Sequence, residues 1–285
     1  MKSIKVLVLG ADGMVGRSVY NYLKIQHSKN LSGTSRTAKN LLKFDATQTN
    51  ELKKLLEKAD YIINCIGINK ITSKNKLQAY RINSQFPKLL DRLTTEFNFK
   101  LIHISSDAVY DYKSGKVIEI DTPNPKDLYG KSKLKGEVNG KNSITIRTSI
   151  IGYSPIKKTG LLEFVLNSQG QIEGYENNLW SGCTTLQFSK FCEYLIFKNK
   201  FSLLRRRSNV FHFCPLGPVS KYEVIKTFIK VSKKRIKLKK VNSSKPINRF
   251  LASYYFDKNF FKTYTTDITK ALKELSIFEA SINIK

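Results

Sequence analysis

Cysteine, histidine and tryptophan are scarce in this chain of 285 residues, at four, three and one. Cys65, Cys183, Cys192 and Cys214 are scattered, with no CxxC pair and no histidine at metal-ligand spacing. This pattern argues against a disulfide framework and against a zinc site. We therefore expect no metal ion, and thiols that stay reduced in the cytoplasm.

Long apolar stretches are also missing, because no apolar run approaches the roughly 20 residues that a membrane-spanning helix needs. The N-terminal segment has a basic residue and a short apolar run, as a signal peptide does. It leads into a glycine-rich loop without a small-residue cleavage site, so we interpret it as a first strand. We expect no membrane association.

Acidic residues are few, with 22 Asp and Glu against 50 Lys and Arg, which gives a net charge of +28. Such a balance is typical of nucleic-acid-binding proteins. However, 40 of the basic residues are Lys and only 10 are Arg, whereas base readout and bidentate phosphate binding favour Arg. We expect no nucleic-acid partner, and a positive field that favours a small anionic substrate.

Short apolar runs alternate with helical patterns over the first 150 residues, which predicts a parallel sheet with crossover helices. Strands are predicted near residues 4–9, 30–34, 41–44, 61–66, 101–104, 144–146 and 209–214. Helices are predicted at 14–25, after a cap at Thr49, around 86–93, at 185–197 and, with a lysine-rich tail, at 220–240. Segment 153–182 is predicted as loops around one short helix, residues 205–207 as a loop charge cluster, and residues 233–240 as a lysine-rich edge strand.

A glycine-rich loop follows the first strand and opens the first helix. Its GxxGxxG pattern, Gly10, Gly13 and Gly16, lets the backbone turn tightly and approach a pyrophosphate, which then lies at the helix N-terminus. The context of strand, loop and helix is the one that the motif requires. We therefore expect a dinucleotide-binding site in which Asp12, Met14 and Val15 also contact the cofactor.

The fold class that follows is α/β, a Rossmann-type doubly wound parallel sheet with a smaller, irregular C-terminal substrate lobe. Residues 1–152 would form the dinucleotide-binding domain, with the sheet completed by about residues 184–215. Residues 153–183 and 216–285 would form the substrate-binding lobe.

The residues after the second strand indicate which cofactor binds. An NAD-preferring site places an acid there for the ribose hydroxyls, but no acid occurs between Asp12 and Asp45. Arg36, next to Ser35, suits a 2′-phosphate, so NADPH is favoured over NADH. The alternative is that Arg36 is a solvated loop cation. Asp45 is expected near the adenine.

A tyrosine and a lysine four residues apart start a helical stretch and so share one helix face. These are Tyr129 and Lys133. A nearby ammonium is expected to lower the pKa of the phenol, which could then exchange a proton with a carbonyl oxygen. A strand upstream ends in Ser105, Ser106 and Asp107, and the hydroxyl of Ser106 could orient that carbonyl.

Together these motifs resemble the extended short-chain dehydrogenase/reductase family, and within it the dTDP-4-dehydrorhamnose reductase branch. The matching segments are GADGMVG, SSDAVY at 105–110, YGKSK at 129–133 and RTS at 147–149. Cys65, Ile66 and Gly67 match the strand end that flanks the nicotinamide ribose, and Asn83 matches a helix asparagine that supports the site. The resemblance covers roughly residues 1–215 well and the remainder weakly.

The resemblance implies a division of labour. Tyr129 would be the proton donor, Lys133 would hold the nicotinamide ribose, and Ser106 would hydrogen-bond the carbonyl. Asp107, Trp180 and Arg249 would contact the substrate, although Trp180 could equally anchor the lobe and Arg249 could equally form a salt bridge. Residues 177–184 depart from the pattern of the rhamnose enzymes, which puts that particular sugar in doubt.

The expected function is NADPH-dependent reduction of a nucleotide-activated 4-keto sugar, in the supply of surface-polysaccharide precursors. A nucleotide-sugar epimerase or dehydratase on the same fold remains an alternative. So does a non-catalytic NADP-binding regulatory subunit. The sequence leaves the oligomeric state open, with a homodimer among the options.

Overall fold

The computed structural model describes residues 3–68, 75–111, 113–154, 156 and 158–283. Its strands are β1 Val6–Leu9, β2 Leu31–Ser35, β3 Leu42–Lys43, β4 Tyr61–Asn64, β5 Lys100–Ile104, β6 Gly115–Val117, β7 Ser143–Arg147, β8 Ile150–Ile151, β9 Gln171–Tyr175, β10 Leu179–Thr184, β11 Val210–His212, β12 Leu216–Ser220, β13 Lys237–Val241 and β14 Arg249–Leu251. Its helices are α1 Met14–His27, α2 Leu52–Leu56, α3 Lys76–Tyr80, α4 Phe86–Glu96, α5 Leu128–Lys135, α6 Leu161–Asn167, α7 Thr185–Phe197, α8 Phe201–Arg207, α9 Lys221–Ser232, α10 Lys258–Lys262 and α11 Ile268–Asn283.

The central sheet has seven strands in the order β11-β7-β5-β4-β1-β2-β3, and all its pairings are parallel. The chain starts in the middle of the sheet, builds outward through β2 and β3, then returns to β4 and builds outward on the other side. This is the doubly wound order, and it opens a crevice at the carboxyl ends of β1 and β4, where the direction of winding reverses. The predicted fold class is confirmed.

Alternating side chains of β1 supply both faces of the core. Val6 and Val8 pack with α1 and α7 on one face, whereas Leu7 and Leu9 pack with α2 and α4 on the other. Burial of one such side chain contributes about 1.5–3 kcal/mol. A strand that is apolar throughout is therefore what a parallel sheet covered on both faces requires.

In the part of the chain that the structure describes, three smaller sheets lie outside the central one: β12-β10-β8, β13-β9 and β14-β6. The lysine-rich strand β13 pairs in parallel with β9, which confirms the edge strand predicted near residues 233–240, whereas the helix predicted over 220–240 ends at Ser232. A third apolar cluster joins α6, α9 and α11 to this region. Within the described residues, no helix is both long enough and apolar enough to cross a membrane.

Several local predictions are wrong. Segment 153–182 contains two strands, β9 and β10, besides the predicted helix. Thr49 does not cap α2, because the helix begins at Leu52 with Glu51 at the N-cap, and Thr49 contributes only its backbone carbonyl. Residues 205–207 form the last turn of α8, where basic side chains complement the helix dipole, rather than a loop.

Candidate functional site

The glycine-rich loop joins β1 to α1 with very close backbone packing. Gly10 has a φ of +76°, a conformation that favours glycine, and a Cβ on Gly16 would lie 2.1 Å from the carbonyl oxygen of Gly10. The first turn of α1 has no acidic residue and no side-chain cap. Its backbone N–H groups are therefore suited to bind an anion such as a pyrophosphate.

A cavity of about 430 Å³ opens at the carboxyl ends of β1, β4 and β5. Of the predicted site residues, it is lined by Gly13, Met14, Val15, Cys65, Ile66, Gly67, Ser106, Asp107, Tyr129 and Lys133. The structure thus brings the predicted catalytic residues and about half of the predicted cofactor residues to one cavity. Gly10, Asp12, Gly16, Ser35, Arg36, Asp45, Asn83, Trp180 and Arg249 do not line it.

Ser106 ends the loop after β5 and caps the 3₁₀ turn Asp107–Val109. Its hydroxyl accepts the N–H of Ala108 at 3.1 Å and donates to Oδ1 of Asp107 at 3.0 Å. The side chain of Tyr129 lies close enough to this hydroxyl for Ser106 to act on its pKa. Ser106 is therefore held by Ala108 and Asp107 at the wall of the cavity.

Helix α5 positions Tyr129 and Lys133. The Asp127 side chain caps it by accepting the N–H of Gly130 at 2.8 Å. A Cβ on Gly130 would lie 2.1 Å from the carbonyl oxygen of Ala108, so the helix packs directly on the turn that carries Ser106. This close approach brings the phenol and the hydroxyl together.

Burial governs the ionisation of this pair. It raises the pKa of Tyr129 to about 12; Ser106 and Arg249 act against the shift, and Asp107 adds to it. The expectation that Lys133 lowers the pKa of Tyr129 below its ordinary value is therefore wrong. Lys133 donates to the carbonyl of Ile104, and its burial lowers its own pKa to about 8. The phenol is protonated at neutral pH, as a proton donor must be.

Asn83 lies in a π-helical turn, Arg81–Gln85, between α3 and α4. Its amide oxygen accepts the N–H of Ile68 at 2.9 Å, and its amide nitrogen donates to the Ile68 carbonyl and the Ser132 hydroxyl, both at 3.0 Å. Asn83 thus ties the loop after β4 to α5. It supports the wall formed by Cys65, Ile66 and Gly67 from behind.

The predicted adenosine side lies beyond the cavity, at the end of β2. Ser35 donates to Asp12 at 2.8 Å and accepts the N–H groups of Thr37 and Ala38, so its hydroxyl stabilises this turn. Arg36 follows it and is exposed. The pKa of Asp45 is lowered mainly by the backbone N–H of Thr47.

Arg36 and Arg81 lie close enough to Asp45 to contribute to this lowering of its pKa. Arg81 is a cation at this place that sequence reasoning missed. It is distant in the sequence, and the π-helical turn that carries it gives no recognisable signal.

Two residues predicted to contact substrate have other partners in the structure. Trp180 is buried among apolar side chains and donates its indole N–H to the Ser149 hydroxyl at 2.9 Å. This is the anchoring role, and the predicted stacking on a base or sugar finds no support. Arg249 pairs with Asp107 at 3.0 Å, which is the salt bridge alternative.

Other cavity residues come from segments that sequence reasoning assigned no role. Thr148 and Ser149 follow β7, and Gly152, Ser154 and Gly160 lie between β8 and α6. The RTS segment at 147–149 was a usable signal, because it contributed to the family resemblance. The loop before α6 carries no motif that would have predicted its contribution.

The doubly wound sheet, the glycine-rich loop and the Ser, Tyr and Lys group define a protein of the extended short-chain dehydrogenase/reductase class. More closely, the chain belongs to the RmlD substrate binding domain family, whose model matches residues 4–250. A dTDP-4-dehydrorhamnose reductase of Aggregatibacter actinomycetemcomitans is 29% identical over 154 residues, which is 51% of each chain. Methionine adenosyltransferase 2 subunit beta of Danio rerio is 31% identical over 138 residues, 47% of this chain and 42% of that protein.

The chain spans about half the length of the curated relatives it matches. Among solved structures, dTDP-4-dehydrorhamnose reductase of Bacillus anthracis, in complex with NADP, superposes with a TM-score of 0.76. The two chains are 18% identical, and the match covers 96% of this chain and 99% of that one. At this identity, the likeness bears on the fold.

Proposed function

We propose that this protein is an NADPH-dependent reductase of a 4-keto sugar linked to a nucleoside diphosphate. In this proposal it works in the cytoplasm and supplies precursors of a surface polysaccharide. The observation that carries it is the convergence of Ser106, Tyr129 and Lys133 on the same cavity that the glycine-rich loop lines. A site that only binds a dinucleotide does not need these three side chains together.

The residues of the loop fit the cofactor. Gly13 lines the cavity at the N-terminus of α1, and the first turn of that helix presents no competing carboxylate. NADPH, when bound, would supply the hydride. Arg36 and Arg81, which both act on Asp45, are the cations we assign to the 2′-phosphate, and they support NADPH over NADH.

Tyr129 would donate its proton to the carbonyl oxygen of the sugar. Because its pKa is raised to about 12, it is a neutral phenol over the physiological range and can transfer a proton without first gaining one. Ser106 would orient the carbonyl through its hydroxyl. Lys133, which is held by the carbonyl of Ile104, would fix the nicotinamide ribose.

The substrate class follows from charge and from the family. A nucleoside diphosphate is anionic, and a chain with a net charge of +28 attracts it over long distances. The family that the chain belongs to and the name of the Aggregatibacter relative support a nucleotide sugar. The proposal names the substrate class and not one sugar. Residues 177–184, where the sequence departs from the rhamnose enzymes, include the largely buried strand β10.

The test is consumption of NADPH with a panel of nucleotide-linked 4-keto sugars, in the wild type and in Tyr129→Phe. We expect the substitution to lower kcat roughly 10²- to 10⁴-fold while NADPH still binds. Tyr254→Phe is the matched control, because Tyr254 is 63% exposed and should keep full activity. Equal turnover by Tyr129→Phe and the wild type would contradict the assignment.

A second candidate is an NADPH-binding subunit of another enzyme. It is favoured by the methionine adenosyltransferase 2 subunit beta relatives, which match at an identity similar to that of the reductases. It predicts tight NADPH binding without turnover of any sugar in the panel. Cofactor that stays bound in oxidised form through purification would instead favour an epimerase or dehydratase.

A further inference from the structure

The carboxylate of Asp107 lies between the predicted catalytic serine and an arginine from the far end of the chain. Its Oδ1 accepts the hydroxyl of Ser106 at 3.0 Å. Its Oδ2 accepts both Nε and Nη2 of Arg249, at 3.2 and 3.0 Å. Asp107 therefore connects Ser106 to Arg249, which lies 142 positions after Asp107 in the sequence.

The backbone around Arg249 is fixed from two sides. Strand β14 pairs in parallel with β6, so that Arg249 is in register with Gly115. On the other side, the N–H of Leu251 donates to the Ser181 hydroxyl of β10 at 2.7 Å. The guanidinium is thus delivered to Asp107 by regular secondary structure, not by a loose loop.

The contacts of Arg249 match a positioning role better than a hold on the substrate diphosphate. Besides its two contacts with Asp107, it donates from Nη1 to the Tyr110 carbonyl at 3.1 Å. At least three of the five N–H groups that a guanidinium carries are then directed at the protein. The side chain is 10% exposed, and the residue does not line the cavity, whereas Asp107 does.

We propose that Arg249 is a positioning residue that holds the Asp107 carboxylate and thereby fixes the Ser106 hydroxyl against the phenol of Tyr129. The role rests on the reductase function proposed above, because Tyr129 is the proton donor of that reaction. A serine hydroxyl rotates freely unless its neighbours hold it. Here Ala108 and Asp107 set its direction, and Arg249 holds the carboxylate that does so.

The pair also sets the charge beside the phenol. Asp107 raises the pKa of Tyr129 and Arg249 lowers it, so the two contributions oppose one another. Loss of Arg249 would leave the partly buried carboxylate of Asp107 without its cation, which destabilises the fold. The carboxylate could then rotate toward another hydrogen-bond donor. Loss of the Asp107 charge would leave the effect of the guanidinium on the pKa of Tyr129 unopposed by that carboxylate. The two substitutions should therefore disturb the same geometry with opposite electrostatic sign.

The kinetic test uses Arg249→Gln, Asp107→Asn and the double variant, with thermal unfolding to confirm that each is folded. We expect each single substitution to lower kcat roughly ten- to a hundredfold, as for other misplaced catalytic groups. We expect KM for the nucleotide sugar to stay within about twofold, and the double variant to be no worse than the singles. Arg249→Lys, which keeps the charge, should recover part of kcat. A rise in KM in Arg249→Gln alone, with kcat unchanged, would overturn the proposal in favour of a diphosphate contact.

A second measurement does not depend on turnover. The carbon that bears the Tyr129 hydroxyl can be followed by NMR in protein labelled with [ζ-¹³C]tyrosine, with its signal identified by loss in Tyr129→Phe. We expect Asp107→Asn to lower the pKa of Tyr129, Arg249→Gln to raise it, and both to shift its signal at neutral pH. Unchanged signals in both variants would overturn the proposal. If the wild type reduces no sugar but these shifts appear, the reductase function fails while the Arg249–Asp107–Ser106–Tyr129 connection stands.

Discussion

Lys133 is a basic side chain that the fold buries almost completely, at 5% exposure. Burial lowers its pKa to about 8, and the carboxylate of Glu137, one turn along the chain, limits the fall. That carboxylate is itself held by Arg147, through contacts of 2.8 and 2.7 Å, and by Ser105 at 2.7 Å. Glu137, held in this way, therefore helps stabilise the charged form of Lys133 in a place that water does not reach.

The burial of Lys133 predicts a pH-dependent cost to stability. The folded chain binds this proton with a pKa of about 8, whereas a lysine exposed to water, as in the unfolded chain, has a pKa of 10.5. Below about pH 8 the cost of the buried charge is fully present; it disappears as the pH rises toward 10.5, because the unfolded state then binds more protons. Lys133→Met should therefore gain up to about 3 kcal/mol more in the free energy of unfolding at neutral pH than at high pH.

Urea unfolding of Lys133→Met and wild type across this pH range would measure the difference. Lys131→Met is the matched control, since Lys131 is exposed on the same helix and should show no such pH dependence. A stability difference between Lys133→Met and wild type that is the same at every pH would contradict the buried charge.

At the scale of elements, the contact between β1 and α1 determines where the glycine-rich loop lies. A Cβ on Gly16 would lie 2.1 Å from the oxygen and 2.8 Å from the carbon of the Gly10 carbonyl. Both atoms are backbone, so neither can move aside by a change of rotamer. The first turn of α1 would have to move away from the strand.

Gly16→Ala should therefore destabilise the protein by about 3 kcal/mol, at the upper end of the usual cost of overpacking. It should also weaken NADPH binding, because the helix N-terminus shifts. Gly13→Ala is the control in the same loop: its nearest atom would be 3.4 Å away, an ordinary contact. Denaturant unfolding and NADPH titration of both variants provide the measurements. Equal stability of the two variants would refute the packing argument.

How much the sequence predicts depends on how local the determining contacts are. Strand β4 and helix α7 are predicted because their determinants are local: β4 is an uninterrupted apolar run, and α7 begins with a capping box of Thr184 and Gln187, which the structure shows. Strand β9 was missed because its partner β13 lies more than 60 residues away and is rich in lysine. The pairing of Arg249 with Asp107 is likewise not predictable from local sequence, because it depends on how β14 lies beside β6.

At the scale of the whole molecule, positive charge exceeds what the chain can neutralise. Even if every one of the 22 acidic residues paired with a cation, 28 of the 50 basic residues would remain without an acidic partner. Exposed ion pairs, such as Lys240 with Glu176 at 2.7 Å, contribute little to stability. Repulsion among the remaining cations favours an expanded chain and so opposes folding.

Salt should therefore stabilise this protein. As sodium chloride rises from about 10 mM to about 150 mM, the screening length falls from about 30 Å to about 8 Å, and the cations cease to repel one another across the molecule. We expect Tm to rise over this range, while an uncharged solute at equal osmolality gives a smaller change. The double variant Lys237→Glu and Lys239→Glu, on the exposed edge strand β13, lowers the net charge by four, from +28 to +24. It should begin with a higher Tm at low salt and respond less to added salt. A fall in the wild-type Tm with salt would mean instead that the native ion pairs outweigh the repulsion, and that the excess of lysine carries no energetic cost for the fold.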